Sequence, residues 1–369
     1  MASSAGYFTQ LSRALKTYEG LSGTRIQVDE LDPKKTEVRA AYDSFRRRIA
    51  KTTLGANSGE RMAFEIGIKP LIRDIISPQE WEAKRQHFTG LHVATLAMST
   101  RMDPLVGFTI GQQALGDLEG RGEGQNSLES DAVGRSEGGR LIVIAGRDQD
   151  RVTEAYEIDK ELVGTVGADD ERELVIRHGE LLGYPTCCAH FFASLLPSLS
   201  NRDSIEAASR ASQDFHPLLN NLSLGFFHYI AWAPCSYACQ ASINKAHALD
   251  QHLQTQDPKQ REQVFGALSM PRLYLDDRRQ ILFEGHYEDE GVLRYSSVHT
   301  PYALDRSTDA VHLEWVFFWD WVRPFLKGDR IEIDDGQVSI FAGRELLTRR
   351  PFDNQWILLP FDSSKKGMR

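Results

Sequence analysis

The pattern of apolar and polar positions changes character along the chain. Pro33 opens an expected helix over 33–50, and Ser77 is placed to cap a second over 78–86. The stretch 116–139 is rich in glycine and acidic residues and almost free of large apolar side chains, so it reads as a linker. Immediately after it, 141–145 (LIVIA) is a continuous apolar run suited to a buried strand. Gly146-Arg147-Asp148 then makes a turn, with Asp148 capping a helix that runs to about 163. A further helix over 169–182 stops at Gly183, a residue suited to the left-handed position after a helix. Helical spacing continues over 185–195, 203–212, 218–233, 234–254 and 259–268.

Beyond 270 strands become frequent. The expected elements are strands over 279–283 and 293–297, a helix over 311–322 ended by Pro324, and a hairpin over 330–341 around Asp335-Gly336. The predicted fold class is α+β: a predominantly helical, cysteine-bearing centre with a smaller mixed α/β C-terminal domain. The expected divisions are a helical region over 1–115, the linker at 116–139, a helical cysteine core over 140–270 and an α+β domain with its hairpin over 271–369.

Composition narrows the class of protein. With 41% hydrophobic and 26% charged residues in 369, the chain has the content of a globular protein, which excludes disordered, collagen-like and coiled-coil readings. The longest apolar stretch, 222–234, is interrupted by His228 and falls short of the roughly 18 residues that span a bilayer. The N-terminal residues lack a long apolar segment, so a cytoplasmic protein is expected. A net charge of −9 argues against nucleic-acid binding, and the basic residues between Lys34 and Lys51 read as a solvated helical face. There is no Walker A, HExxH, nucleophile elbow or paired-carboxylate signature, and the glycines of 116–139 fail the GxGxxG spacing.

The chemistry is concentrated in the cysteines. All four lie within 53 residues as two tight pairs, Cys187-Cys188 and Cys235 with Cys239. In a reducing compartment such a cluster points to metal binding or thiol chemistry rather than disulfides. A proline precedes each pair (Pro185 and Pro234), which places both pairs at expected helix N-termini, where the dipole stabilises thiolates. Cys235 and Cys239, four apart, would share a helix face. Four thiolates suit zinc or an iron–sulfur cluster. Adjacent cysteines reach two corners of one small tetrahedron with difficulty, whereas a [4Fe–4S] cube offers a different iron to each sulfur.

The layout resembles that of sulfonucleotide reductases, an adjacent pair followed by a C-x₂-C pair around a [4Fe–4S] cluster. This chain departs from it by having three residues between Cys235 and Cys239. The segments 183–188 (GYPTCC) and 234–239 (PCSYAC) also resemble those of a poorly characterised group of bacterial and archaeal proteins carrying GYPxCC followed by PCSxxC. That resemblance implies that the two motifs form one site, and no activity.

The leading expectation is an iron–sulfur enzyme of small-molecule metabolism, a redox or lyase-type protein. Cys187, Cys188, Cys235 and Cys239 would ligate a [4Fe–4S] cluster, with a small-molecule substrate and an electron donor as partners. His190, two residues beyond Cys188, and His228, seven before Cys235, are the candidate catalytic residues. Two alternatives stay open: a zinc-stapled interaction module whose aromatic segment 312–321 docks a partner, and a metal-free thiol oxidoreductase cycling Cys235 and Cys239.

Overall fold

A computed structural model of the chain describes residues 58–98, 127–128, 140–164, 171–196, 201–221, 227–274, 280–289, 291–300, 322–352 and 356–361. The expected helix over 33–50, all but the last residue of that over 311–322, most of the 116–139 linker and the aromatic segment 312–321 lie outside them. The protein is mixed α/β, with helices and largely antiparallel sheets. It divides after Leu268 into two compact units. Among the described residues no helix is long and apolar enough to cross a membrane.

The unit spanning 52–268 carries the cysteines. It opens with α1 (Ser58–Glu65), β1 (Leu71–Ile76), α2 (Pro78–Lys84) and β2 (His92–Met98). β3 (Ser127–Leu128) and β4 (Arg140–Gly146) complete a sheet of order β1-β4-β2-β3. Residues 71–76 and 92–98 thus correct the reading of the first hundred residues as mostly helical. They pair antiparallel with β4 on both its sides. The cysteine-bearing unit therefore combines a four-stranded sheet with helices.

β4 sits between two layers. Ile142 and Ile144 face a core with Leu71, Ile75, Val152, Ile158, Leu162 and Val175. Leu141, Val143 and Ala145 face a second core with Ile76 and Phe88. A strand buried on both faces needs an unbroken apolar run, which explains LIVIA. The next helices begin as their caps require. The Asp148 carboxylate accepts from the N–H groups of Asp150 and Arg151 at 3.0 and 3.2 Å and starts α3 (Gln149–Gly164). α2 carries a full capping box between Ser77 and Glu80.

Under this sheet lies a buried ionic group. The Arg73 guanidinium on β1 donates to the fully buried Asp159 carboxylate on α3 at 2.9–3.1 Å. His178 Nε2, on α4 (Glu171–Leu181), lies 3.3 Å from the same carboxylate. Burial alone would raise the Asp159 carboxyl. The facing guanidinium and imidazole outweigh it and hold the group well below the usual carboxylate range.

The unit is completed by α5 (Thr186–Ser194), α6 (Asn201–Arg210), a 3₁₀ turn over Pro217–Leu219, α7 (Gln240–Gln256) and α8 (Pro258–Leu268). Two expected helices are corrected here. Residues 227–239 are not helical, and the helix expected from 234 begins only at Gln240. The apolar run around His228 is buried as irregular chain, so its hydrophobicity reports burial and not periodicity.

The unit after Leu268 is a seven-stranded antiparallel sheet of order β10-β9-β8-β7-β6-β5-β11. Its strands are β5 (Arg272–Tyr274), β6 (Gln280–Asp289), β7 (Val292–His299), β8 (Arg330–Asp334), β9 (Gln337–Ala342), β10 (Glu345–Pro351) and β11 (Ile357–Leu359). The Asp335-Gly336 hairpin forms as the sequence predicts. Both residues take positive φ (44° and 69°), and Asp334 pairs with Gln337 across a two-residue turn. Residues 322–327 are helical, so helical chain runs through Pro324, where an end was expected. Proline withholds only its own N–H, and the Pro324 carbonyl still accepts from Gly328 N–H at 2.9 Å.

Candidate metal centre

The site is assembled from two segments, each turned sharply for a local reason. α4 ends in a reciprocal pair of bonds, Gly183 N–H to Glu180 O and Tyr184 N–H to Gly179 O, both 2.9 Å. This closure needs a left-handed residue at 183, and Gly183 has φ +82°. A Cβ there would also meet Pro70 Cδ at 2.6 Å. Gly183→Ala is accordingly expected to lower the stability of this unit by about 1–3 kcal/mol. It should also weaken metal uptake, because the corner it distorts aims Cys187 and Cys188. Urea denaturation with metal titration checks this, and unchanged values for both would refute it.

Pro185 follows as the N-cap of α5, its carbonyl accepting from Cys188 and Ala189 N–H at 2.8 and 3.0 Å. Cys187 and Cys188 thus occupy the first turn of a helix, as the preceding proline predicts. The second segment departs from expectation. Cys235 lies in an irregular loop, and Cys239 is the N-cap of α7, its carbonyl accepting from Ile243 N–H at 2.9 Å. Cys239 N–H returns to Ser236 O at 3.1 Å. The i, i+4 spacing therefore closes a turn instead of marking a helix face. The loop is anchored from outside by Tyr237, whose N–H donates to Ser212 Oγ at 2.7 Å and whose ring stacks on Phe215.

These two turns bring all four sulfurs within 4.8 Å of one another. The Sγ–Sγ separations are 3.6 Å for Cys187–Cys239, 3.7 Å for Cys188–Cys239 and 3.9 Å for Cys187–Cys188. The group can hold a metal ion, and the cysteines carry no disulfide. Cys188 and Cys239 are buried, Cys235 is half-buried and Cys187 is exposed.

The protonation pattern follows from crowding. The hydrogen bond that Cys239 shares with Cys188, together with those from Ser242, holds Cys239 down to about 4 against the opposing effect of burial. The same contact, reinforced by burial, pushes Cys188 far above the ordinary thiol range. Burial and the neighbouring sulfurs push Cys235 up to about 12.

A second layer of contacts fixes the inner sulfur. Ser242 Oγ, in the first turn of α7, accepts from Trp232 Nε1–H at 3.0 Å and lies 3.2 Å from Cys188 Sγ. The Ser242 hydroxyl and the Cys188 sulfur thus share a hydrogen bond, and Cys235 N–H donates to the same sulfur at 3.4 Å. Trp232 packs on Tyr184 with ring centroids 5.3 Å apart, and the buried Lys69 ammonium lies 5.2 Å from the Tyr184 centroid. Lys69 is ion-paired to Glu60. Burial would lower the Lys69 ammonium, but the Glu60 carboxylate outweighs it and keeps it charged.

Sequence reasoning missed Ser242, Lys69 and Glu60. Ser242 had one available signal, an apolar-flanked serine three residues beyond a cysteine, whereas Lys69 and Glu60 carried none. The two histidines singled out from sequence lie elsewhere. His190 is exposed on α5 and His228 is buried in the irregular segment, and neither belongs to the group able to hold a metal. The chain matches no protein-family model, no curated protein and no solved structure.

Proposed function

We propose that the four cysteines hold one tetrahedral metal ion, zinc, as a structural staple, and that the unit spanning 52–268 is a metal-stapled module. One observation carries this reading: three of the six sulfur separations, those among Cys187, Cys188 and Cys239, are 3.6, 3.7 and 3.9 Å, and all six fall within 4.8 Å. A regular tetrahedron with zinc–sulfur bonds of about 2.3 Å has edges of about 3.8 Å. Thiolates bound to different irons of a [4Fe–4S] cube are held apart by the iron–iron spacing in addition to their own bonds. The spacing therefore supports the zinc alternative over the cluster expected from the adjacent pair. The difficulty foreseen for adjacent cysteines is met by the helix start, which splays consecutive side chains around a central ion.

Four protein sulfurs leave no coordination position for water or substrate, which is the arrangement of a structural site and not of a hydrolytic one. The ion would tie the α4–α5 corner to the loop that precedes α7. Zinc is preferred over a single ferrous ion by the general order of divalent-metal affinities.

The test is metal and acid-labile sulfide analysis of the full chain purified without oxygen. About one zinc per chain without sulfide is expected. Four irons with four sulfides would overturn the reading in favour of the cluster. One iron without sulfide would keep the tetrahedron and overturn the choice of zinc. A metal-free protein that binds none on titration would leave thiol chemistry in its place.

A further inference from the structure

The four sulfurs differ in their surroundings. Cys188 Sγ is buried and faces the Ser242 hydroxyl and the Cys235 N–H. Cys239 is buried at the start of α7. Cys187 is the exposed member, and among the described residues no N–H or O–H donor reaches its sulfur. Hydrogen bonds withdraw electron density from a thiolate, which disfavours Cys188, and burial keeps reagents away from Cys188 and Cys239; Cys235 is half-buried, so exposure singles out Cys187 as the reactive ligand.

We propose that Cys187 is the site at which hydroperoxides oxidise this centre, that Cys239 resolves the product, and that the resulting disulfide expels the metal. The release step rests on the metal reading above; the order of thiol attack does not. In the first step Cys187 Sγ attacks the terminal oxygen of the hydroperoxide. A sulfur–oxygen bond forms, the oxygen–oxygen bond breaks, and an alkoxide (hydroxide for hydrogen peroxide) leaves and takes a proton from water. In the second step Cys239 Sγ, 3.6 Å away, attacks the sulfenic sulfur. The sulfur–sulfur bond forms as hydroxide departs. The two sulfurs together lose two electrons, and the hydroperoxide, which gains them, is reduced to an alcohol and water.

Cys188 is at a similar distance but is a poor resolving partner. Consecutive side chains on a helix diverge, and its sulfur is held by Ser242 and the Cys235 N–H. Once Cys187 and Cys239 are joined, two thiolates remain, too few to keep the ion in its tetrahedron.

The experiment uses the full chain, loaded with zinc and exposed to hydrogen peroxide beside a chromogenic zinc chelator, with the disulfide mapped by peptide mass spectrometry. The expected result is loss of about one zinc and two thiols per chain, with Cys187 and Cys239 peptides cross-linked. Compared without metal, Cys187→Ser should consume peroxide more slowly than the wild-type chain. A first oxidised thiol other than Cys187 would overturn the proposal, as would a disulfide between other partners, or sulfinic acid at Cys187 with no disulfide. If the chain takes up no zinc, the metal reading fails, and the same mapping on the metal-free thiols still decides whether Cys187 reacts first and Cys239 resolves it.

Discussion

Cys188→Ser is expected to abolish metal retention and the cooperative thermal transition of the 52–268 unit. Cys188 is 1% exposed and its sulfur lies 3.7 and 3.9 Å from two of the other three. Removing it takes away one of four ligands and leaves the Ser242 hydroxyl and the Cys235 N–H without the sulfur they face. Structural zinc contributes about 10–16 kcal/mol to small zinc-dependent folds, while a whole domain is stable by only about 5–15 kcal/mol. Even part of the metal term therefore matches the total. A strong chelator applied to the wild-type chain should reproduce the effect, and added zinc should reverse it. Circular dichroism melts paired with metal analysis are the measurement. A variant that keeps both its metal and its melting transition would show that the ion is not a staple.

The second large effect is expected at the ionic group under the sheet. Asp159→Asn removes the charge that compensates the buried Arg73 guanidinium, and losing one partner of a buried pair costs about 3–5 kcal/mol. The dependence on pH has a definite sign. The Asp159 carboxyl is depressed in the folded state, so its stabilisation is fully present above the unfolded value of about 3.9 and is lost as pH falls below it. The gap between wild type and variant in urea denaturation should be constant from pH 7 to about pH 5 and close as the pH drops further. Replacing both partners, Arg73→Met with Asp159→Leu, should recover most of the loss, because the buried guanidinium and carboxylate are removed together and only His178 loses a partner. A gap that widened toward low pH would contradict this assignment.

What could be read from the sequence was local. The LIVIA strand, the Asp148 cap, the Gly183 stop and the Asp335-Gly336 turn each depend on residues that are neighbours in the chain, and each is present. The strands at 71–76 and 92–98 were missed because their identity comes from β4. LIRDII carries Arg73 and Asp74 in its middle and shows no clean alternation, and Arg73 is tolerated there because Asp159 faces it from α3. The segment 227–239 misled in the opposite direction. Its apolar residues and the four-residue cysteine spacing suggest a helix, but burial and the convergence of sulfurs shape it instead. The four ligands were visible as a cluster of one residue type in one stretch. The Ser242–Trp232–Tyr184–Lys69 succession that supports them was not, because it joins residues up to 173 positions apart through packing alone.

The sheet after Leu268 has a consequence for the order in which it can form. From β5 to β10 every strand pairs with its successor, and the β8–β9 link is a two-residue turn that forms on a microsecond scale. β11 alone must return past all of these to lie against β5, pairing Leu359 with Arg272. Bringing together residues so far apart in the chain demands an entropy loss that the hairpin avoids, and only a sheet already in place offsets it. β11, the last strand among the described residues, is therefore expected to seal the edge of a sheet that has already formed.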